Sequence, residues 1–261
     1  MKVLFLNIFQ VAIQPPDRFQ QLIDFVKKEK PDILGLSEVN NWNEQQFARL
    51  KEFQKKTGFT NAAFCESKNG YHLALFSKLR MEEIQVNNEQ FRNGMVQCVF
   101  KIKRENVRVI LVHLTPKTEE ERLKEVKVLT KCYNPREKVI LMGDLNALSP
   151  QDTYDDRFIL AEMKKREIIK FGKDRLQKEA ITAILQQGFV DCVHQFATRF
   201  DSSTPTSMAP PKERYTHFTP LRLDYVFIRN MLPFLKYASV MRTKETGQLS
   251  DHYPVAAEFR I

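Results

Sequence analysis

Several short apolar runs in this chain end on a residue that a buried strand cannot easily bury. Residues 2–8 read as a strand that carries Asn7 near its end, and Asp32-Ile33-Leu34-Gly35-Leu36 leads into Ser37-Glu38. Val109-Ile110-Leu111-Val112 runs into His113, and Lys138-Val139-Ile140-Leu141-Met142 runs into Gly143-Asp144-Leu145-Asn146. Uninterrupted apolar runs of this length fit strands covered on both faces. Asp224, ahead of Tyr225-Val226-Phe227-Ile228, and Asp251-His252, ahead of a strand over 254–260, stand just before their strands instead. If the later strands run antiparallel to the earlier ones, all eight polar residues fall on one rim of the fold.

The segments between these runs alternate helix and strand signals. Asp17 reads as an N-cap with Gln20 three residues on, and Phe19, Leu22, Ile23 and Val26 then recur at helical spacing until Pro31. A second helix is expected over 43–57, stopped by Gly58. Runs at 72–77, 82–86, 95–102 and 107–112, separated by turn pairs such as Asn69-Gly70 and Asn93-Gly94, read as an antiparallel meander. A helix at 118–131 opens on a Thr118/Glu121 capping box, and 150–187 reads as charged and mostly helical up to Gly188. Residues 201–213 form a Ser/Thr/Pro-rich loop, and strands at 224–229, 234–242 and 254–260 finish the chain. No internal repeat is visible, and the 201–213 loop is too short for an interdomain linker, so one α/β domain over 1–261 is expected.

Composition narrows the partners. Forty-one basic residues against 32 acidic ones give a net charge of +9, which favours polyanions such as nucleic acid, phospholipid headgroups or inositol phosphates. Cys65, Cys98, Cys132 and Cys192 form no C-x-x-C pair, which argues against a zinc site or a disulfide framework. The opening MKVLFLNIFQVAI resembles a secretory signal, but Asn7 and Gln10 interrupt it and a first strand explains it better. No segment approaches the roughly 18 apolar residues that a membrane span needs. A cytoplasmic protein, monomeric by default, is the expectation.

Each polar residue has a structural reading beside a chemical one. Asp144 and Asn146 suit a turn, yet alternation would also place both on one side of a strand, where they could hold a water and a phosphate oxygen. Glu38 is either a solvated loop residue or a hard oxygen ligand for Mg²⁺. Asp251 could cap a turn, bind metal or align His252, which titrates near neutrality and can move a proton. Asp224, at the mouth of a buried strand, needs a partner, and an imidazole is a natural one. His113 alone would more often be a packed histidine than a catalyst.

Taken in order, Asn7, LSEV around Glu38, VHL at His113, GDLNA at 143–147, RLDY at 222–225 and SDHYPV at 250–255 resemble the endonuclease/exonuclease/phosphatase family, the deoxyribonuclease I-like fold. The resemblance implies a four-layered α/β sandwich, with two packed mixed β-sheets flanked by helices. It also implies a hydrolase cleaving phosphodiesters or phosphomonoesters by in-line attack of water, assisted by Mg²⁺ or Mn²⁺. By motif match, Glu38 is the principal metal ligand, with Asn7 and Asp251 nearby. Asp144 and Asn146 position and deprotonate the water or grip the phosphate. Asp224 orients His252, and His252 and His113 act on phosphate oxygens. A phosphate-ester substrate is implied, with nucleic acid favoured by the charge. The alternatives are a phosphatase of inositol phosphates, phospholipids or nucleotides, and a catalytically silent binding module.

Within that family, the AP endonucleases share GDLN and RLDY but generally carry a tyrosine segment where this chain has VHLTP. Arg222-Leu223-Asp224 lacks the tryptophan-cysteine-aspartate signature of the phosphoinositide 5-phosphatases, and the signal peptide and disulfides of secreted relatives are missing. A generic intracellular member is expected. Tyr71 falls where the family often places a substrate-side aromatic, although packing explains it equally. The segments 150–175 and 201–213 are expected to border the cleft, with Arg199, Lys212 and Arg214 as phosphate contacts.

Overall fold

The structure is a computed structural model that describes residues 1–10, 16–210 and 217–261. The first two apolar runs form β1 (Lys2–Asn7) and β2 (Ile33–Ser37), paired in parallel with Val3 opposite Ile33 and Asn7 opposite Ser37. The connection between them is α1 (Pro16–Glu29), whose Phe19, Leu22, Ile23 and Val26 pack on the outer face of β1 and β2. Pro16 takes the first helical position, so Asp17 sits inside the first turn rather than capping it, and Gln20 bonds Asp24 instead. Next comes α2 (Glu44–Thr57), ended by Gly58 at φ 79°, whose N–H reaches the Gln54 carbonyl at 2.9 Å.

The expected single meander is divided between two sheets. β3 (Asn61–Cys65), which the sequence did not announce, pairs with β4 (Leu73–Ser77), and β4 continues antiparallel onto β2. β5 (Glu82–Asn87), β6 (Met95–Ile102) and β7 (Glu105–His113) form a true meander, but in the other sheet. From β7 the chain crosses through α3 (Glu119–Leu129) to β8 (Lys138–Asp144), parallel to β7 with His113 opposite Asp144. Thr118 caps α3 by accepting from the Glu121 N–H at 3.3 Å, but Glu121 does not complete the box; its carboxylate accepts from the Thr115 hydroxyl.

Residues 150–187 are helical only at α4 (Asp156–Lys165) and α5 (Glu179–Gln186). The segment between them is irregular because Gly172 sits at φ 106°, and because Phe171 and Leu176 are buried in a small core with Leu148, Ile159, Met163 and Phe218. A short β9 (Val190–Asp191), β10 (Asp224–Arg229), β11 (Leu235–Val240) and β12 (Val255–Phe259) follow, with a 3₁₀ turn at Leu232–Phe234 shortening the expected 234–242 strand.

Two six-stranded sheets result, ordered β11-β12-β1-β2-β4-β3 and β5-β6-β7-β8-β10-β9. Each is mixed, with one parallel pair among antiparallel ones. Alternating strand residues explain the layers. Phe5, Ile33, Val109, Leu111, Met142 and Val226 face inward between the sheets. Leu4, Leu34 and Leu36 face α1 and α2, whereas Ile110, Val112, Leu141 and Phe227 face α3 and α5. Gly35 is where the sheets come closest: a Cβ there would stand 2.9 Å from Leu111 Cδ1 and Met142 Cε. The fold is therefore an α/β sandwich of helices, sheet, sheet and helices. Among the described residues, no helix is long and apolar enough to cross a membrane.

Candidate active site

The parallel pairing of β1 with β2 and of β7 with β8 brings the ends of four strands to one rim. Antiparallel pairing returns β10 and β12 to it, with Asp224 directly opposite Asp144. The eight residues that began as strand-end oddities meet there. Glu38, His113, Asp144, Asn146, Asp251 and His252 line a cavity of about 190 Å³, together with Tyr71, Lys170 and His217. Asn7 bridges the two sheets, donating from Nδ2 to Glu38 Oε1 at 3.0 Å and to Asp144 Oδ2 at 3.1 Å. Asp224, fully buried, lies behind His252 and bonds its Nδ1 at 2.7 Å.

The local backbone explains how these side chains reach the cavity. Gly143 is required beside Asp144, because a Cβ there would lie 1.8 Å from the Val112 carbonyl oxygen. Asn146 does not simply continue the strand. Its backbone is left-handed at φ 48° and its N–H bonds Asp144 Oδ1 at 2.9 Å, so the turn reading and the convergence of both side chains hold together. Glu38 likewise sits at φ 62°, a conformation that costs energy for a side chain other than glycine and occurs here at the cavity edge.

Charge is distributed unevenly. Burial and the neighbouring Asp251 raise the Glu38 carboxyl to about 7. Burial opposes charge on His252, but Asp224 and Asp251 outweigh it and hold the imidazole up to about 10. Burial keeps His113 neutral, down to about 4, although its Nε2 lies 3.6 Å from Asp144 Oδ2. Burial also works against an ionised Asp144, but His113, His252 and Lys170 together hold it below the usual carboxylate range. The site thus pairs one imidazolium with one neutral imidazole.

A divalent cation has two places to consider. Ligand atoms of Asp144, Asp224 and His252 lie within 4.8 Å of one another. However, the Asp224–His252 bond already uses that pair, and a charged His252 repels a cation. Glu38 fits better, since it is held by the Asn7 amide and is driven toward the neutral form by burial and a second carboxylate, which outweigh the pull of His252. Oxygen donors of this kind suit a hard divalent cation.

Tyr71 lines the cavity with its ring edge-on to His113, centroids 6.4 Å apart. Arg199 does not join the site; it is largely exposed, lies 3.9 Å from Asp201 and borders a separate hollow beside Asp152 and Arg222. Lys212 and Arg214 lie outside the described residues. Among the cavity residues that the sequence reading did not single out are Lys170 and His217, both buried. Lys170 belongs to the stretch expected to border the cleft, but nothing in its charged neighbourhood distinguishes it from a solvated lysine. Burial pushes its ammonium down to about 7.

The fold and this strand-end cluster define a phosphoesterase scaffold of the deoxyribonuclease I-like kind, and the chain belongs to the Endonuclease/Exonuclease/phosphatase family, matched over residues 7–252. Members of that family are hydrolases of phosphoester bonds, and this chain is a hydrolase of that class. A search of curated proteins finds no match to it. Solved structures similar to it include an AP endonuclease from Archaeoglobus fulgidus, 20% identical with a TM-score of 0.71. A 3′-5′ exonuclease from Neisseria meningitidis is 18% identical at 0.72, and a mannosyl-6-phosphatase from Bacteroides thetaiotaomicron is 15% identical at 0.68. In all three, 100% of each chain is covered. At these identities the likeness speaks for the fold alone.

Proposed function

We propose that this protein is a divalent-metal-dependent phosphodiesterase acting on nucleic acid, with Mg²⁺ or Mn²⁺ held by Glu38, Asn7 and Asp251. The observation that carries the reading is the His252–Asp224 bond of 2.7 Å, set in one cavity with Glu38, Asp144 and Asn146. The net charge of +9 supports a polyanionic substrate.

In this reading the oxygen of a water molecule bonds to phosphorus while the P–O bond to the leaving alcohol breaks. Asp144 orients the water, takes its proton and passes it to solvent, and the leaving oxygen takes a proton from solvent water. Asp224 keeps His252 charged, and the imidazolium donates to a phosphate oxygen as negative charge builds there. His113, neutral, donates a hydrogen bond from the opposite wall. When bound, the metal ion supplies positive charge against the phosphate oxygens. Tyr71 shapes the entrance; Lys212 and Arg214 remain candidate contacts to the substrate backbone.

A panel of single- and double-stranded DNA, abasic DNA, RNA, inositol phosphates and a generic phosphodiester, each with Mg²⁺, Mn²⁺ or EDTA, tests this. Cleavage of a nucleic acid is expected with metal, with losses of roughly 100-fold or more in Glu38→Ala and His252→Ala. Turnover that survives EDTA or both substitutions would sink the mechanism. Silence across the panel would instead favour a binding module. A phosphatase reading has one observation in its favour, the buried Lys170 ammonium.

A further inference from the structure

In GDLNA-type sites the asparagine carboxamide is the obvious group to hold a phosphate oxygen, but here its oxygen and one of its two N–H donors already have protein partners. Asn146 Nδ2 donates to the Leu114 carbonyl at 2.9 Å, and Oδ1 accepts from Lys170 Nζ at 2.5 Å. The same ammonium donates to His217 Nε2 at 2.7 Å, and the His217 ring stands edge-on to His252 with centroids 5.3 Å apart. A lysine ammonium has three donors, and two neutral acceptors account for two of them. Among the described residues no carboxylate forms an ion pair with it, although it is buried and lines the cavity. Asp144, Asp224 and Glu38 attract the ammonium from a distance, but burial outweighs them, so a negative group arriving at its third donor is favoured.

The placement of Lys170 is built rather than incidental. Buried Arg122 of α3 donates to the Lys170 carbonyl, to the Thr115 carbonyl at 3.2 Å and to Glu119 Oε2 at 2.9 Å. Glu119 in turn accepts a first-turn N–H of α5, from Ala180, at 2.6 Å. Phe171 and Leu176 anchor the segment from below. This irregular stretch is therefore held at both levels, and its one cavity-facing cation is Lys170.

We infer that Lys170, seated on Asn146 and His217, forms a phosphate-binding subsite in which its ammonium, not the Asn146 carboxamide, holds a non-bridging oxygen of the substrate phosphate. The inference rests on the phosphoesterase reading and assigns one of its contacts. His217 is a positioning residue, because its acceptor nitrogen fixes the ammonium beside the imidazolium of His252. A positive charge at this point rewards a second negative charge, so a terminal phosphomonoester dianion gains more from the subsite than an internal diester monoanion.

The test uses the full chain and inorganic phosphate as the probe, measured by calorimetry, alongside kinetics on an oligonucleotide with a terminal phosphate, a free sugar phosphate and an unphosphorylated oligonucleotide. Lys170→Met should weaken phosphate binding about 10-fold or more and raise KM more than it lowers kcat. It should also lower the ratio of monoester to diester kcat/KM. Loss on both monoesters together points to the phosphate itself, and loss on the oligonucleotide alone points to a nucleic-acid end. His217→Leu should weaken phosphate binding as well, while His217→Gln, which keeps an acceptor, should restore most of it; this pair serves if Lys170→Met fails to fold. Unchanged phosphate affinity in Lys170→Met, or a larger loss in Asn146→Ala, overturns the assignment. If the wild type binds phosphate through Lys170 yet cleaves nothing, the subsite stands and the hydrolase reading falls.

Discussion

Asp224 and His252 meet through one 2.7 Å bond, and the charge state of the imidazole depends on it. Asn at 224 can accept or donate but brings no negative charge to the imidazolium, leaving only Asp251 and Asp144 to favour it. Asp224→Asn is therefore expected to lower kcat roughly 100- to 10,000-fold on whichever phosphoester is cleaved, with circular dichroism unchanged. A loss under about tenfold would mean that His252 does not work as a cation. Not every residue of the site was legible. Glu38, His113, Asp144 and His252 stood out because each interrupts or borders an apolar run, and a polar residue there needs a reason. Lys170 and His217 gave no such signal. A lysine among Lys164, Lys165, Arg166 and Lys173 looks like solvated surface. Its burial depends on Arg122, 48 positions away, which no local pattern connects to it. Arg199 failed for the opposite reason: a loop arginine has no periodicity that tells where it points.

Elements set the site through close contacts that tolerate little. Gly35 and Gly143 look alike in sequence, each a lone glycine in an apolar strand, but they answer to different neighbours. At Gly35 a Cβ would meet the flexible ends of Leu111 and Met142, whereas at Gly143 it would meet the backbone of β7. Gly35→Ala is expected to cost about 1 kcal/mol, and Gly143→Ala at least about 3 kcal/mol with loss of activity, as read by urea unfolding. Equal costs would show that β8 can move away from β7. On α3, Glu125 accepts the Arg92 and Thr115 N–H groups at 2.7 Å each, yet burial raises it to about 7. A folded-state pKa above the unfolded value of about 4.5 favours the protonated form. The resulting stability is fully present below pH 4.5 and is lost as the pH rises through 7, on the order of 3 kcal/mol. The Tm advantage of wild type over Glu125→Gln should then shrink from pH 4.5 to 8; an advantage that grows over that range contradicts it. Most strand positions were legible from apolar runs, β3 and β9 excepted. Their division between two sheets was not, because runs and turn pairs show where a strand lies and not which strand it pairs with.

The whole molecule places half of the site on each sheet. Asn7, Glu38, Asp251 and His252 come from the sheet of β1, and His113, Asp144, Asn146 and Asp224 from the sheet of β8. The alternative registers of a slipped strand would turn these groups into the core, so the hydrophobic pattern fixes the site as firmly as the fold. At this scale the net charge of +9 also matters. Binding to duplex DNA should fall at least about 10-fold between about 50 and about 200 mM salt, with a linear log–log slope, by fluorescence anisotropy. A flat dependence would remove nucleic acid from the list of polyanions. The route of the chain has a consequence for how the protein is made. β1 lies between β2, synthesised soon after it, and β12, which contains residues 255–259. Throughout synthesis, one edge of β1 stays open to any passing strand, while Glu38 waits for a His252 that the ribosome has yet to deliver. A chain without β12 leaves that edge of β1 unpaired and Asp251–His252, which lead into β12, without the strand that seats them on the cavity, so β12 closes the first sheet and the candidate site together.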